Sequence, residues 1–330
     1  VHGNEPSSSE AALLTAYTLV SSQSDEINKY LNESIILIDP TINPDGRDRH
    51  THWANTYKGS PLVDDPQDAE HNEYWPGGRT NHYWFDLNRD WYLGIHPESR
   101  GKLNWYHKWQ PNVTTDFHEM GSNSTYFFVP FKPNGSLNPV IPKENYDYFN
   151  FLFGSYYAKA LDDIGTLYFT REIFDRTYPG YGSSYPDYLG GIGILFEQAS
   201  SRGHKQKTQF GEITFPFTIR NQYISGMTTV KASVENKESL KEYQNKFFKS
   251  AITESASKKI KGYQFKIGND RNKTKAFVDK LRLHNLKVLK SGNELFVPTV
   301  QKNYRLVRTF FETQEKYRDI VFYDASAWST

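Results

Sequence analysis

Cysteine is absent from all 330 residues. That excludes disulfides, a nucleophilic thiol and the cysteine-containing ligand sets that usually close a structural zinc site. Charge of one sign is equally scarce: 39 Lys and Arg stand against 38 Asp and Glu, a net charge of +1. Without a basic stripe the electrostatic footprint of a nucleic-acid binder is missing, so no nucleic-acid partner is expected. No apolar run approaches the ~18 residues of a membrane span, and no basic-then-apolar leader opens the chain. No internal repeat is visible either. What the chain has in quantity is aromatic surface, 23 Tyr, 22 Phe and 7 Trp, enough to build a core in an otherwise polar sequence. The length suits one large core followed by a smaller unit.

Along the chain, short apolar runs alternate with helical spacing. Ser7 to Val20 reads as an N-capped helix, Ser34 to Ile38 as a buried strand ended by Asp39-Pro40, and Asn43 to Gly46 as a turn. Residues 47 to 85, polar, aromatic and rich in Pro and Gly, read as a long functional excursion. A helix is expected over His96 to Trp109, strands over Val113 to His118 and Tyr126 to Val129, and a helix over Asn145 to Leu161. A buried strand over Gly191 to Phe196 delivers Glu197 at its end, and residues 216 to 256 look helical. The Lys- and Ser-rich stretch at 255 to 262 reads as a linker between units 1–255 and 256–330. The second unit reads strand (Tyr263 to Ile267), helix (Lys273 to His284), strands (Lys287 to Lys290, Leu295 to Val297), helix (Gln301 to Phe311) and strand (Ile320 to Tyr323). This pattern gives an α/β layer structure with helices on both faces of a largely parallel sheet. Such sheets hold ligands beyond the carboxyl ends of their strands, where His118 and Glu197 fall.

The chemistry is concentrated in a few side chains. His2 and Glu5, in HGNE, and His118, in DFHEMG, form a complete ligand set for one catalytic zinc ion. Three protein ligands leave the fourth position open for water or substrate. The two residues between His2 and Glu5 let a short turn present both side chains to one ion. Taken singly, each histidine has a plainer reading: His2 as a polar loop residue, His118 as a core histidine held by Asp116 on the same strand face. Glu119 points to the opposite face and reads as a supporting group or loop anchor. Because Val1 stands one residue before a candidate ligand, the strand that positions His2 and any leader are expected to lie outside this chain. The expected setting is that of an exported or periplasmic bacterial protein.

After HGNE come NPDG at 43–46, GRTNHYWFDLNRD at 78–90, His118 and GILFEQAS at 193–200. In that order they resemble the zinc metallocarboxypeptidase family, the carboxypeptidase A-like or M14-type peptidases, over residues 1 to 230. The resemblance implies a mixed, mostly parallel eight-stranded sheet with helices on both faces. It implies one Zn2+ held by His2, Glu5 and His118, and Asp86 as the carboxylate behind the first imidazole. Asn88 and Arg89 match the pair that grips the substrate's terminal carboxylate. Arg79 fits the arginine that stabilises the developing oxyanion, with Arg47 and Arg49 as competitors. Glu197 matches the general base and acid, and its apolar approach strand favours a raised pKa. The stretch RTYPGYGSSYPDYLGG, at 176–191, resembles the family's mobile specificity loop, with Tyr181 as first choice for the tyrosine that closes over substrate and Tyr178 as second. The ending FETQEKYRDIVFYDASAW resembles the tails of large bacterial members that append an amidotransferase-like domain. Lacking a nucleophilic cysteine, that unit is structural, binds something, or is incomplete.

The reading that gathers these features is a zinc metallocarboxypeptidase that hydrolyses C-terminal peptide bonds with metal-activated water and Glu197 as base. Two other readings stay open. An aspartoacylase-like zinc amidohydrolase acting on small N-acyl amino acids would need a capped pocket where a peptide enzyme needs a groove. A non-catalytic module would bind peptide or cell-wall termini without turning them over.

Overall fold

The computed structural model describes residues 1–133 and 138–312. Three helices open the chain, α1 (Ser7–Ser21), α2 (Asp25–Glu33) and α3 (Pro44–Tyr57), and α4 (Pro97–Trp109) follows a long polar stretch. Strands β1 (Val113–Met120) and β2 (Tyr126–Phe128) precede α5 (Asn150–Asp163), and β3 (Ile192–Ala199) follows it. A hairpin, β4 (Lys205–Thr208) and β5 (Gly211–Thr214), leads into two long helices, α6 (Phe215–Glu235) and α7 (Lys237–Ser257). The remaining elements are β6 (Gly262–Lys266), α8 (Arg271–Leu283), β7 (Leu289–Ser291), β8 (Glu294–Pro298) and α9 (Tyr304–Phe311). Among the described residues no helix is long and apolar enough to cross a membrane.

The architecture is mixed α/β. The sheet that carries the site has the order β1-β3-β2, with β1 and β3 parallel and β2 antiparallel to β3. Phe117 and Phe196 are in register on β1 and β3 and stack with ring centroids 4.8 Å apart. Their face is the apolar one: Phe196 meets Tyr157 of α5 edge-on at 4.8 Å, and Tyr126, Phe128 and Phe153 complete an aromatic core that is at most 1% exposed. Strand alternation then turns Asp116 and His118 to the other face, together with Glu197, the register partner of His118.

The eight-stranded sheet implied by the resemblance is not found among the described residues; this sheet has three strands. Ser34 to Ile38, expected as a strand, pairs with nothing, because a cavity of about 790 Å³ lies between residues 34–42 and the outer edge of β1. Asn43 to Gly46, expected as a turn, instead starts a helix. Asn43 Oδ1 accepts from Gly46 N at 3.0 Å, and Pro44 takes the first helical position, where its missing N–H costs nothing. Helix α3 therefore occupies the first part of the expected excursion. Strand β3 runs past Phe196 to Ala199, so Glu197 lies within the strand and not beyond it. The strand expected over Ile320 to Tyr323 lies outside the described residues.

In the second unit, β6 and β7 flank β8 in an antiparallel sheet, with α8 and α9 packed on it. Leu281, Leu286, Val297, Leu306 and Val307 share one buried cluster with Trp91, Leu103, Tyr106 and Tyr185 from residues before 256. Segment 176–191 is fixed at its base by Arg176, which is fully buried. Arg176 donates to Asp187 Oδ1 at 2.6 Å, to Asn150 Oδ1 at 2.9 Å and to the Gly193 carbonyl at 2.7 Å.

Removing only the cation from this pair strands a buried carboxylate, which typically costs about 3–5 kcal/mol. Arg176→Met is therefore expected to lower the urea-unfolding free energy by that order. A loss below about 1 kcal/mol would mean that the segment is held by something other than this pair.

Candidate active site and metal centre

The metal-side geometry begins with the turn at residues 2–5, closed by Glu5 N donating to the His2 carbonyl at 3.2 Å. Gly3 packs so tightly on the start of α3 that a Cβ would lie 2.0 Å from Arg47 N, so only glycine fits there. The turn runs straight into α1, whose first amide needs an acceptor. Glu119 of β1 supplies it: Oε1 accepts from Ser7 N at 2.8 Å and from Ser7 Oγ at 2.5 Å, and Oε2 accepts from Ser200 Oγ at 2.5 Å. Glu119 is thus the anchor that welds the N-terminal turn to the strand bearing His118.

With turn and strand joined, three side chains converge. His2 Nδ1 lies 2.8 Å from Glu5 Oε1, His118 Nδ1 lies 2.8 Å from Glu5 Oε2, and the two Nδ1 atoms are 3.2 Å apart. All three residues are buried, and one ligand atom from each lies within 4.8 Å of the others. Behind each ring stands a carboxylate: Asp86 Oδ1 is 2.9 Å from His2 Nε2, and Asp116 Oδ1 is 3.0 Å from His118 Nε2. An acceptor on Nε2 fixes the proton there and leaves the Nδ1 lone pair aimed at the common point, the arrangement of a metal-ligating imidazole. The donor set therefore fits a zinc ion: two imidazole nitrogens and one carboxylate, buried and oriented from behind.

Without a cation the same geometry holds a proton. Burial alone would depress the His118 imidazole, but Asp116 and Glu5 outweigh it and carry it up to about 10. Burial works against the Asp86 carboxylate too, yet His2, Arg79 and Arg89 hold it well below the usual range. Burial raises Glu197 to about 8; the His118 charge opposes this, while Glu5 and Asp116 add to it.

The remaining expected site residues surround this point. Asp86 caps the short turn Leu87–Arg89, accepting from Asn88 N at 2.8 Å, so its capping role and its hold on His2 coexist. Asn88 is buried: its Nδ2 lies 2.8 Å from His118 Nε2 and 3.2 Å from Asp116 Oδ2, and its Oδ1 accepts from Gly182 N at 2.8 Å. Arg89 lies with Cζ 4.8 Å from the centre of the Tyr181 ring, and its buried Nε has no hydrogen-bond partner among the described residues. Tyr178 Oη donates to the Arg89 carbonyl at 2.9 Å. Arg79, with a side chain 45% exposed, donates to Asp86 Oδ2 at 2.8 Å and reaches within 3.4 Å of His2 Nδ1. The competing arginines are committed elsewhere: Arg47 pairs with Glu10, and Arg49 donates to the carbonyls of Gly77, Thr80 and Asn81.

Two supports escaped the sequence reading. Glu73 accepts from Asn4 Nδ2 at 2.6 Å and lies 3.0 Å from His50 Nδ1, bracing the metal-side turn from within the excursion. Gln222 of α6 donates to the His118 carbonyl at 3.0 Å. Asn4, placed between the two ligands of HGNE, is the one signal that could have pointed to such a brace.

No curated protein matches the sequence. Among solved structures, the chain is similar to a metallo-carboxypeptidase from Burkholderia cenocepacia, at 14% identity and a TM-score of 0.48, over 70% of this chain and 54% of that one. It is also similar to a metallo-carboxypeptidase from Pseudomonas aeruginosa in complex with (2-guanidinoethylmercapto)succinic acid, at 13% identity and a TM-score of 0.48, over 72% and 56%. The chain thus spans little more than half the length of these structures. Over residues 1–127, a span that holds His2, Glu5, Arg79, Asp86, Arg89 and His118, the sequence matches the Peptidase_M14 family model, zinc carboxypeptidase.

Proposed function

We propose that this chain carries the active site of a zinc metallocarboxypeptidase that removes residues from the C-terminus of a peptide. The observation that carries the reading is the convergence of His2, Glu5 and His118 on one buried point, each imidazole backed by its own carboxylate. A zinc ion held by those three residues supplies the Lewis acidity that polarises a carbonyl and makes water a better nucleophile at neutral pH.

The other steps fall to the chain's own side chains. Glu197, in register with His118 on the next strand, takes the proton from the attacking water and passes it to the leaving amine. Its raised pKa makes it a stronger base toward the attacking water and brings its proton affinity closer to that of the leaving amine that receives the proton. Arg79, at the exposed rim and already within 3.4 Å of His2, is placed to meet negative charge developing on the carbonyl oxygen. Arg89 is the recognition group for the terminal carboxylate: its guanidinium is permanently charged and planar, and its buried Nε still has bonding capacity. Asn88 has its amide occupied by Asp116 and Gly182, so it holds the second carboxylate and the tyrosine loop in register with Arg89. Tyr181, lying over Arg89, forms the wall beside the carboxylate.

Glu197→Gln keeps the shape and removes the base. The variant should retain zinc at wild-type stoichiometry and lose about 10²–10⁴ in kcat on an N-acyl dipeptide with a free C-terminus. Equal turnover by both proteins removes Glu197 from the reaction. A C-terminally amidated peptide should resist the wild type, whereas efficient cleavage of N-acetyl amino acids in preference to dipeptides would favour the small-molecule amidohydrolase. Arg89→Lys keeps the charge but not the fork, so KM should rise at least about tenfold, or 1.4 kcal/mol, with little change in kcat.

Zinc and protons compete for the same pocket. His118 in the metal-free protein is raised from 6.5 to about 10, so its stabilisation is complete below 6.5 and is lost as pH climbs through about 10. The metal-free protein should therefore show a melting temperature that falls between pH 6.5 and 10. Zinc takes the place of that proton and should flatten the profile. A metal-free profile flat across this window would show that His118 is not held between Asp116 and Glu5.

A further inference from the structure

The loop that bears Tyr178 and Tyr181 is followed directly by Tyr185, and the Tyr185 ring is fully buried. Its hydroxyl sits between two histidines from distant parts of the chain, 2.9 Å from His107 Nε2 at the end of α4 and 2.6 Å from His284 Nδ1 just after α8. His284 is itself fully buried, and its Nε2 lies 2.7 Å from the Tyr92 carbonyl. That carbonyl can only accept, so His284 Nε2 carries the proton and Nδ1 presents a lone pair. Tyr185 must then donate to His284 and accept from His107 Nε2–H. His107 Nδ1 is left unprotonated, and it has no partner among the described residues. Every hydrogen in the chain His107–Tyr185–His284–Tyr92 has one place to be.

Both imidazoles are neutral at the pH where a neutral hydrolase works. Burial pushes His107 down to about 4, with Lys302 adding to the effect, and burial pushes His284 down to about 3. The chain is therefore a fixed set of neutral hydrogen bonds and not a titrating switch. Further contacts tie the same corner together: Asn303 Nδ2 donates to the His284 carbonyl at 3.1 Å, Lys280 Nζ donates to the Gly94 carbonyl at 2.6 Å, and Phe310 packs on Tyr92 with centroids 4.4 Å apart.

From Tyr185 the connection runs back to the site in two steps. Tyr185 N and Ser184 N both donate to the Tyr181 carbonyl, at 2.9 and 3.1 Å, making one helical turn of residues 181–185. Gly182 N within that turn donates to Asn88 Oδ1, and the Tyr181 ring covers Arg89.

We propose that the C-terminal unit is a positioning element for the substrate side of the site, acting through Tyr185 clamped between His107 and His284. In this arrangement the 178–185 loop is a fixed wall whose placement depends on residues 280–310, and not a lid free to swing. Tyr185 and His284 are positioning residues: they touch neither the proposed metal nor the proposed substrate, and they act on Tyr181 and Asn88. The kinetic part of this inference rests on the carboxypeptidase reading; the structural part does not.

The test uses the full, zinc-loaded chain with two readouts, amide hydrogen exchange across residues 178–185 and the split between KM and kcat on an N-acyl dipeptide. Tyr185→Phe keeps the ring and removes the clamp, and His284→Leu removes it from the other side. Each should speed loop exchange at least tenfold and raise KM about tenfold, with zinc stoichiometry unchanged. His107→Gln retains an N–H donor for the Tyr185 oxygen and should stay near wild type in both, whereas His107→Leu should behave like Tyr185→Phe. Loop exchange at the wild-type rate in Tyr185→Phe, His284→Leu and His107→Leu would overturn the proposal. So would faster exchange spread evenly over the whole chain with KM unchanged, which marks a purely structural role. If the wild type does not hydrolyse the peptide, the carboxypeptidase reading fails, and the exchange measurement alone still decides whether the loop is clamped. Should His284→Leu not fold, Tyr185→Phe and the His107 pair carry the test.

Discussion

Several acceptors aimed at one buried point is the constraint around which this molecule is organised. His2 Nδ1, His118 Nδ1 and both oxygens of Glu5 face each other at 2.8 to 3.2 Å. Such a cluster is stable only around a positive charge, a metal ion or a proton. The carboxylates of Asp86 and Asp116 behind the rings make the demand stronger, because each fixes a proton on Nε2 and so keeps Nδ1 available. Arg79, which comes within 3.7 Å of Glu5 Oε1, and Arg89, which pairs with Asp86, moderate the excess of negative charge. The arrangement has the logic of a binding site and lacks that of a stabilising ion-pair network, since removing the central cation leaves the acceptors opposed.

Much of this could be read in the sequence, for a definite reason. His2 and Glu5 are three positions apart, and Asp116 and His118 are two apart on one strand, so local geometry alone puts each pair on a common side. Helices α1 and α4 and strands β1 and β3 fell close to the expected spans, with Pro6 and Pro97 marking the two helix starts; the side-chain cap expected for α1 is not there, and Glu119 of β1 takes its first amide instead. What periodicity could not supply was pairing. Ser34 to Ile38 has a strand's composition, but a strand exists only beside a partner, and here a cavity stands next to it. NPDG reads equally as a turn or as the first turn of a helix, and the Asn43 cap decides for the helix. The brace from Glu73 to Asn4 and the anchor from Glu119 to Ser7 join residues 69 and 112 positions apart; the sequence marks Glu119 as an anchor but does not name Ser7 as its partner, and Asn4 alone does not identify Glu73.

The second unit illustrates the same limit from the side of packing. A Lys- and Ser-rich stretch suggested a linker at 255–262, and α7 does end at Ser257 there. A linker in sequence need not mean independence in space. Leu281, Leu286, Val297 and Leu306 are buried against Trp91, Leu103 and Tyr185, so the two parts share a core. Burying apolar area contributes about 25 cal/mol per Å², so a shared core joins the two parts energetically as well as by the chain. Alterations in α8 or α9 then propagate into the residues that follow DLNRD.

Rigidity of this kind has a consequence for how the proposed chemistry is arranged. A site whose ligands sit on a turn and a strand gains precision from elements that are already packed. The turn at 2–5 is clamped by Glu119 and Glu73, the His118 strand is locked by β3 and Gln222, and the tyrosine loop is fastened at Arg176, Asn88 and Tyr185. Freedom is left mainly at exposed side chains: Arg79, beside the site, is 45% exposed, and Trp75, Tyr83 and Trp84 are more than half exposed. The division follows from hydrogen bonding: the carboxylates of Glu5, Asp86, Asp116 and Glu119 have their oxygens paired within the protein, so movement there would break several bonds at once, whereas exposed side chains such as Trp75 and Tyr83 can turn in solvent at little cost.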